Sequence, residues 1–283
     1  MEEQYSNNTF QNNSYHDSDI IEPPIQLRIV CWIVIIICLP LIILAIYYLY
    51  SLVRHNHVAP IYVINLLISD FIQLCCMAIL LGKPKLVLFF ITVSIYSIGL
   101  MASVGFMVCI SLERYLLIAW PLWYRFRRTV KVSVVVCVVV WVLALVLTFL
   151  TIFIGPKPIA VFFLLPFPVL IFSVVGIFKG LSAAISVSSE EKRRIVGATI
   201  LVLLNYTLMF LPFLIWSITP HVIMTNPFTF IFFNPLGDLV LYIFMRKGAI
   251  DKILASVCCC RMETQQPQII AVNDNNMTAV SSV

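Results

Sequence analysis

A few residues in this chain are of types that do chemistry where water is scarce. Asp70 and Asp238 are carboxylates set deep in long apolar runs. Two carboxylates in a low dielectric need either a cation or a shared proton. Hydroxyl and amide oxygens nearby would suit a hard cation as further ligands, and a hydrogen-bonded cluster that only joins helices is the plainer alternative. Glu113-Arg114-Tyr115 closes another apolar run with an acid beside a guanidinium, which on its own reads as a pair reaching for the membrane surface. Tyr206, Phe210 and Pro212 place two aromatic rings one turn apart ahead of a proline. A proline inside a helix leaves a carbonyl unbonded and kinks the chain, which supplies a pivot.

The elements that must position these residues follow from composition. Of 283 residues, 61% are hydrophobic and 11% charged, and the mean hydropathy is +1.03. Soluble domains hold about 45–50% apolar and about 25% charged residues, so the excess apolar surface calls for lipid. Apolar stretches fall at 27–53, 58–81, 86–117, 130–154, 159–181, 194–218 and 222–245, with breaks that include Gly82–Lys85 and Ser188–Arg194. Backbone groups in lipid must bond internally, and runs this long are helices rather than barrel strands. The expected fold is an all-α membrane protein, a bundle of seven transmembrane helices over residues 27–245. An extracellular tail (1–26) precedes it. A short amphipathic cytoplasmic helix (246–257) and a cytoplasmic tail (258–283) follow.

Orientation comes from Lys and Arg. With the N-terminus outside, Arg28, Lys83, Lys85 and Lys157 fall outside and the other 14 of 18 fall inside. The tail adds Cys258, Cys259 and Cys260, a candidate palmitoylation cluster beside membrane lipid. Ser281-Ser282-Val283 would fit a carboxylate-binding scaffold domain. Asn7 and Asn12 open glycosylation acceptors in the outer tail, whereas Asn205-Tyr206-Thr207 matches the pattern within a span and reads as chance. No signal peptide is read, and the nine cysteines form no disulfide framework. Zinc spacings, phosphate-cradling glycine loops and nucleophile elbows do not occur, so an enzyme is not supported. Topology accounts for the basic residues, so nucleic-acid binding is not supported either.

Taken in order, Asn65 with Asp70, Ser103, Glu113-Arg114-Tyr115, Trp141, Pro212 and Asp238 with Tyr242 sit on the right spans to resemble the rhodopsin-like (class A) G protein-coupled receptors. Phe210 and Asp238 resemble the branch that holds nucleotide, protease-activated, proton-sensing and lysolipid receptors. Trp120-Pro121-Leu122-Trp123-Tyr124-Arg125 is similar to the Mas-related receptors. The resemblance implies a plasma-membrane receptor for an unidentified extracellular ligand, coupled to a heterotrimeric G protein through Arg114. It implies a sodium ion among Asp70, Ser103, Asn234 and Asp238, with no other cofactor, and a relay through Tyr242. It also implies that the inner end of the sixth helix swings about Pro212.

The chain departs from that family in several places. Phe89 stands where a disulfide cysteine is usual, Ile42 where the first helix usually has Asn, and Leu239 where the seventh usually has Pro. The fifth helix has Pro166 and Pro168 but no Tyr near its inner end, and Lys192 argues against an ionic lock to Arg114. A non-signalling or intracellularly retained seven-helix protein is therefore the competing expectation. A transporter or retinal pump finds no paired broken helices and no Lys in the seventh span.

Overall fold

The computed structural model describes residues 24–54, 61–120, 130–154, 162–183, 189–218 and 228–245. The expectations for Asn7, Asn12, the helix at 246–257, Cys258–Cys260 and Ser281–Val283 lie outside those residues. The described chain is helical throughout: α1 (Ile25–Arg54), α2 (Ile61–Leu81), α3 (Leu86–Ala119), α4 (Val130–Ile154), α5 (Pro166–Ala183) and α6 (Ser189–Ile218). The last, α7, spans residues 228–245. It is broken by a turn at Phe232-Phe233, between Phe228–Ile231 and Asn234–Met245. The first six are each long and apolar enough to cross a membrane, and α7 is a shorter apolar helix. At 1.5 Å per residue, the 21 residues of α2 reach about 30 Å, the thickness of a hydrocarbon core.

Two boundaries differ from the expected ones. The break expected at Ser188–Arg194 is helix from Ser189 onward. Glu190, Glu191, Lys192, Arg193 and Arg194 are residue types of good helix propensity, which extends the helix back beyond the apolar run. The fifth span has a turn at Leu165, and α5 proper starts at Pro166, where a missing N–H costs nothing in a first turn.

The helices gather around α3. Each of α1 to α3 packs on the next, α3 also meets α4, α5 and α6, and α7 packs against α6, α1 and α2. Seven helices make one bundle. On α4 the buried residues Cys137, Val140, Ala144 and Thr148 form a single stripe, while Val134, Val138, Val142 and Phe149 are exposed. That pattern belongs to a helix with one narrow protein-facing side and lipid on the rest.

Small residues set how closely α3 is gripped. A side chain at Gly105 would meet Val140 of α4 at 2.7 Å, and one at Gly180 of α5 would meet Ile118 at 2.7 Å. At Gly176 it would overlap the ring of Tyr115. Gly176 and Gly180 are one turn apart, the small-xxx-small spacing that lets membrane helices approach closely. Gly176→Val is expected to force α5 off Tyr115 and cost about 1–3 kcal/mol. The check is the thermal midpoint of the purified protein, and an unchanged midpoint would contradict this account of the α3–α5 contact.

Candidate functional site

Midway along the bundle the apolar core gives way to buried polar side chains. Asp70, Gln73, Ser103, Asn234 and Asp238 have no solvent exposure, and Asn205 has 5%. They come from α2, α3, α6 and α7. Asp238 is the hub. Its Oδ2 accepts from Ser103 Oγ (2.7 Å) and Asn234 Nδ2 (3.1 Å), and its Oδ1 accepts from Asn205 Nδ2 (3.0 Å). Asn234 Nδ2 also reaches Ser103 Oγ at 2.9 Å. Asp70 Oδ1 accepts from Gln73 Nε2 at 3.3 Å, and its carboxyl is near enough to Asp238 to interact with it.

The turn at Phe232-Phe233 presents Asn234 to this cluster. Gly237 N and Leu236 N both donate to Phe233 O (3.1 and 3.0 Å), which restarts α7 just ahead of Asn234 and Asp238. Asn234 and Asp238 are four apart and share a face, with Tyr242 buried one turn further on. On α2, Asp70 and Gln73 are three apart and likewise share a face. Three buried oxygens of this cluster have no hydrogen-bond partner: Asp70 Oδ2, Gln73 Oε1 and Asn234 Oδ1. All three are acceptors, so the centre of the bundle is a place for a proton, a cation or donors from water.

The sequence expectation for Asp70, Ser103, Asn234 and Asp238 therefore has a geometric counterpart, since one buried cluster holds all four. Sequence reasoning missed Gln73 and Asn205. The signal was present, because an amide in an otherwise apolar span has to find a partner. Asn205 had been read only as a chance glycosylation match.

A second polar contact joins α2 to α4. Trp141 Nε1 donates to Asn65 Oδ1 at 3.1 Å, and Asn65 Nδ2 donates to Ile61 O (2.9 Å) and Cys137 Sγ (3.4 Å). Trp141 also meets Phe106 edge-on at 6.0 Å. The six described cysteines are free.

Tyr206 and Phe210 lie in an aromatic cluster between α5 and α6, with Phe163 stacked on Phe210 at 4.6 Å and Phe167 against Tyr206 at 4.8 Å. Tyr206 OH donates to Phe163 O at 2.6 Å, just ahead of the Leu165 turn. Pro212 is inside α6 one half-turn beyond Phe210. Within Glu113-Arg114-Tyr115, Arg114 and Tyr115 have different neighbours. Arg114 Nη2 is 3.9 Å from Met245 Sδ at the end of α7, and the Tyr115 ring meets Phe172 of α5 at 5.2 Å.

At the opposite end of the bundle from Arg114 is a cavity of about 100 Å³ between α1, α2, α3 and the α7 turn. Its walls include Cys31, Leu80, Phe89, Val93 and Phe232, with Arg28 as the charged residue. Tyr96 stacks on Phe232 at 5.0 Å and donates to Ile231 O at 3.3 Å, tying α3 to α7 where α7 is broken.

Comparison with known proteins agrees with this architecture. The family described as "7 transmembrane receptor (rhodopsin family)" matches residues 41–158. Mas-related G-protein coupled receptor member B5 of Mus musculus is 35% identical over 97 residues, 32% of this chain and 29% of that protein. Member X2 of Homo sapiens is 35% identical over 99 residues, 32% of this chain and 30% of that protein. The matched region is thus under a third of the length of these relatives. Over these residues the chain is similar to the rhodopsin-like receptor family and, within the matched stretch, to Mas-related receptors.

Ser103→Ala removes one of the donors to Asp238 without opening a large cavity. It is expected to lower stability by about 1–3 kcal/mol, the range for a bond to a buried charged or partly charged group. Thermal unfolding of the purified variant beside the parent measures it, and no loss would mean that Asp238 does not depend on α3.

Proposed function

We propose that this chain is a receptor rather than an enzyme, at the plasma membrane, with its N-terminus outside and its C-terminus in the cytoplasm. It binds an extracellular ligand at the end of the bundle that bears the Arg28 cavity. It activates a heterotrimeric G protein at the end that bears Arg114. The observation that carries this reading is the buried polar cluster on α2, α3, α6 and α7. It stands between the two ends on the helices that also form them. Burying that many polar groups in an apolar bundle is costly and by default serves function rather than stability. The names of the Mas-related relatives and the Glu113-Arg114-Tyr115 motif support the same reading.

The ligand we favour has an anionic group on an apolar body, as a lipid would. The support is the almost wholly apolar cavity wall, with Arg28 among the residues that line it. Proton sensing is a second reading, supported by the closeness of Asp70 and Asp238, which could share a proton.

A sodium ion at the central cluster is part of this proposal, supported by the acceptor oxygens that lack donors there. Asp70 Oδ2, Gln73 Oε1 and Asn234 Oδ1 are hard oxygen acceptors without donors, and they are the atoms that would hold it. When bound, the ion supplies positive charge between two carboxyls. Ser103 and Asn205 hold Asp238 in place by their own hydrogen bonds. Tyr242 follows on the same face of α7 and leads toward Arg114.

The deciding experiment is G-protein dissociation by energy transfer in cells, across G proteins, acidic lipids and about pH 6–8, with surface amount quantified alongside. Arg114→Ala is expected to abolish the response at normal surface expression, and a retained response would overturn the assignment of Arg114. Silence of the parent chain with retention inside the cell would favour the non-signalling alternative. For the ion, exchanging choline for sodium is expected to raise the thermal midpoint of the parent and leave Asp70→Asn unmoved. Equal response of the two would remove sodium from Asp70.

A further inference from the structure

Asn205 occupies an unusual place between α6 and α7. Its Nδ2 donates to Asp238 Oδ1 at 3.0 Å and lies 3.8 Å from Met107 Sδ of α3. Its amide also rests on the backbone of α7, because a side chain at Gly237 would overlap the Asn205 amide outright. The residue next to that bare backbone is Asp238 itself. A glycine followed by an acceptor thus forms a socket of the shape and polarity of one amide.

Pro212 gives α6 a place to bend near Asn205. Pro212 comes seven residues later, about 10 Å along the axis at 1.5 Å per residue. Having no N–H, it leaves the Leu208 carbonyl without its usual partner, so bending is cheapest there. The long part of α6 before Pro212 is therefore a lever. The contacts that hold that lever to α7 include two of different kinds. One is apolar and sliding, at Gly197, where an added side chain would meet Phe244 at 2.7 Å. The other is the directional bond from Asn205 to Asp238. Drawing the lever away from α7 strands a buried amide and a buried carboxylate oxygen, whereas parting Gly197 from Phe244 strands no polar atom.

We propose that Asn205, seated on Gly237 and bonded to Asp238, is a latch that holds the Ser189–Leu211 part of α6 against α7, and that its release accompanies receptor switching. The last clause rests on the function proposed above; the latch does not. Asn205 is a positioning residue, acting through the two-state equilibrium of α6.

The bond can be reversed without changing the shape of the pair. Asp238 accepts on both oxygens, Oδ2 from Ser103 and Asn234 and Oδ1 from Asn205. In Asn205→Asp with Asp238→Asn, the new amide at 238 keeps its oxygen for Ser103 and Asn234 and donates its NH₂ to the acid at 205. Two readouts on the full chain separate the claims: hydrogen exchange of α6 amides in purified protein, and basal G-protein dissociation per surface receptor. Asn205→Leu and Asn205→Asp are each expected to speed exchange in residues 195–211 by about fivefold or more, the lower end of typical coupling between states. Both are also expected to raise basal signalling. The double variant is expected to return both readouts toward those of the parent. Parent-like exchange in the single variants, or a folded double variant that stays fast, overturns the latch. If a single variant does not fold, the double variant alone decides: folding with parent-like exchange supports the latch, and failing to fold overturns it. Exchange that changes and is rescued while no G protein responds to any variant keeps the latch and sinks the receptor reading.

Discussion

The structure depends most on one constraint: a carboxylate in the middle of an apolar bundle must be hydrogen-bonded from every side. Asp238 has no exposure to solvent, so water cannot supply those bonds. Ser103 supplies one from α3, Asn234 one from its own helix and Asn205 one from α6. Each bond restricts the rotation of the helix that carries it. Turning α6 by one residue about its axis would carry Asn205 roughly 100° away from Asp238. The hub thereby sets the faces that α3, α6 and α7 turn toward one another.

Packing around the hub follows from what lipid takes away. Between helices in a membrane there is no water to expel, so association rests on close fit and on polar contacts. The glycines at 105, 176, 180, 197 and 237 each sit where a side chain would collide with a neighbouring helix. The large apolar residues complement them, as Tyr115 does against Gly176 and Phe244 against Gly197. Elsewhere the helices meet lipid, and α4 shows how narrow the protein-facing stripe becomes.

The fold also has an asymmetry along its length. Near the Arg28 cavity, α7 is broken and Tyr96 secures the break to α3. Near Arg114, the contacts are those of uninterrupted helices ending close to one another. Arg114 reaches the last residue of α7, and Tyr115 is held by α5. Between these ends, three acceptor oxygens lack donors. Such groups are tolerated where a ligand, ion, proton or water completes them.

The sequence by itself determined that this is a helical membrane protein, because long apolar runs leave backbone groups no other way to be satisfied. It also singled out Asp70 and Asp238, since a charge deep in such a run is costly and by default functional, and Arg114 through the resemblance of its motif. It could not say which face of each helix turns inward. These helices are apolar nearly all round, lipid-facing and protein-facing sides being equally greasy, so periodicity carries little information about burial. For that reason Gln73 and Asn205 went unrecognised as partners of the two acids, and α6 was taken to begin after its charged first turns. The tertiary structure decided the pairings. Asn205 meets Asp238 only because Gly237 lets α6 approach the backbone of α7, a fit between two distant segments that neither segment encodes alone.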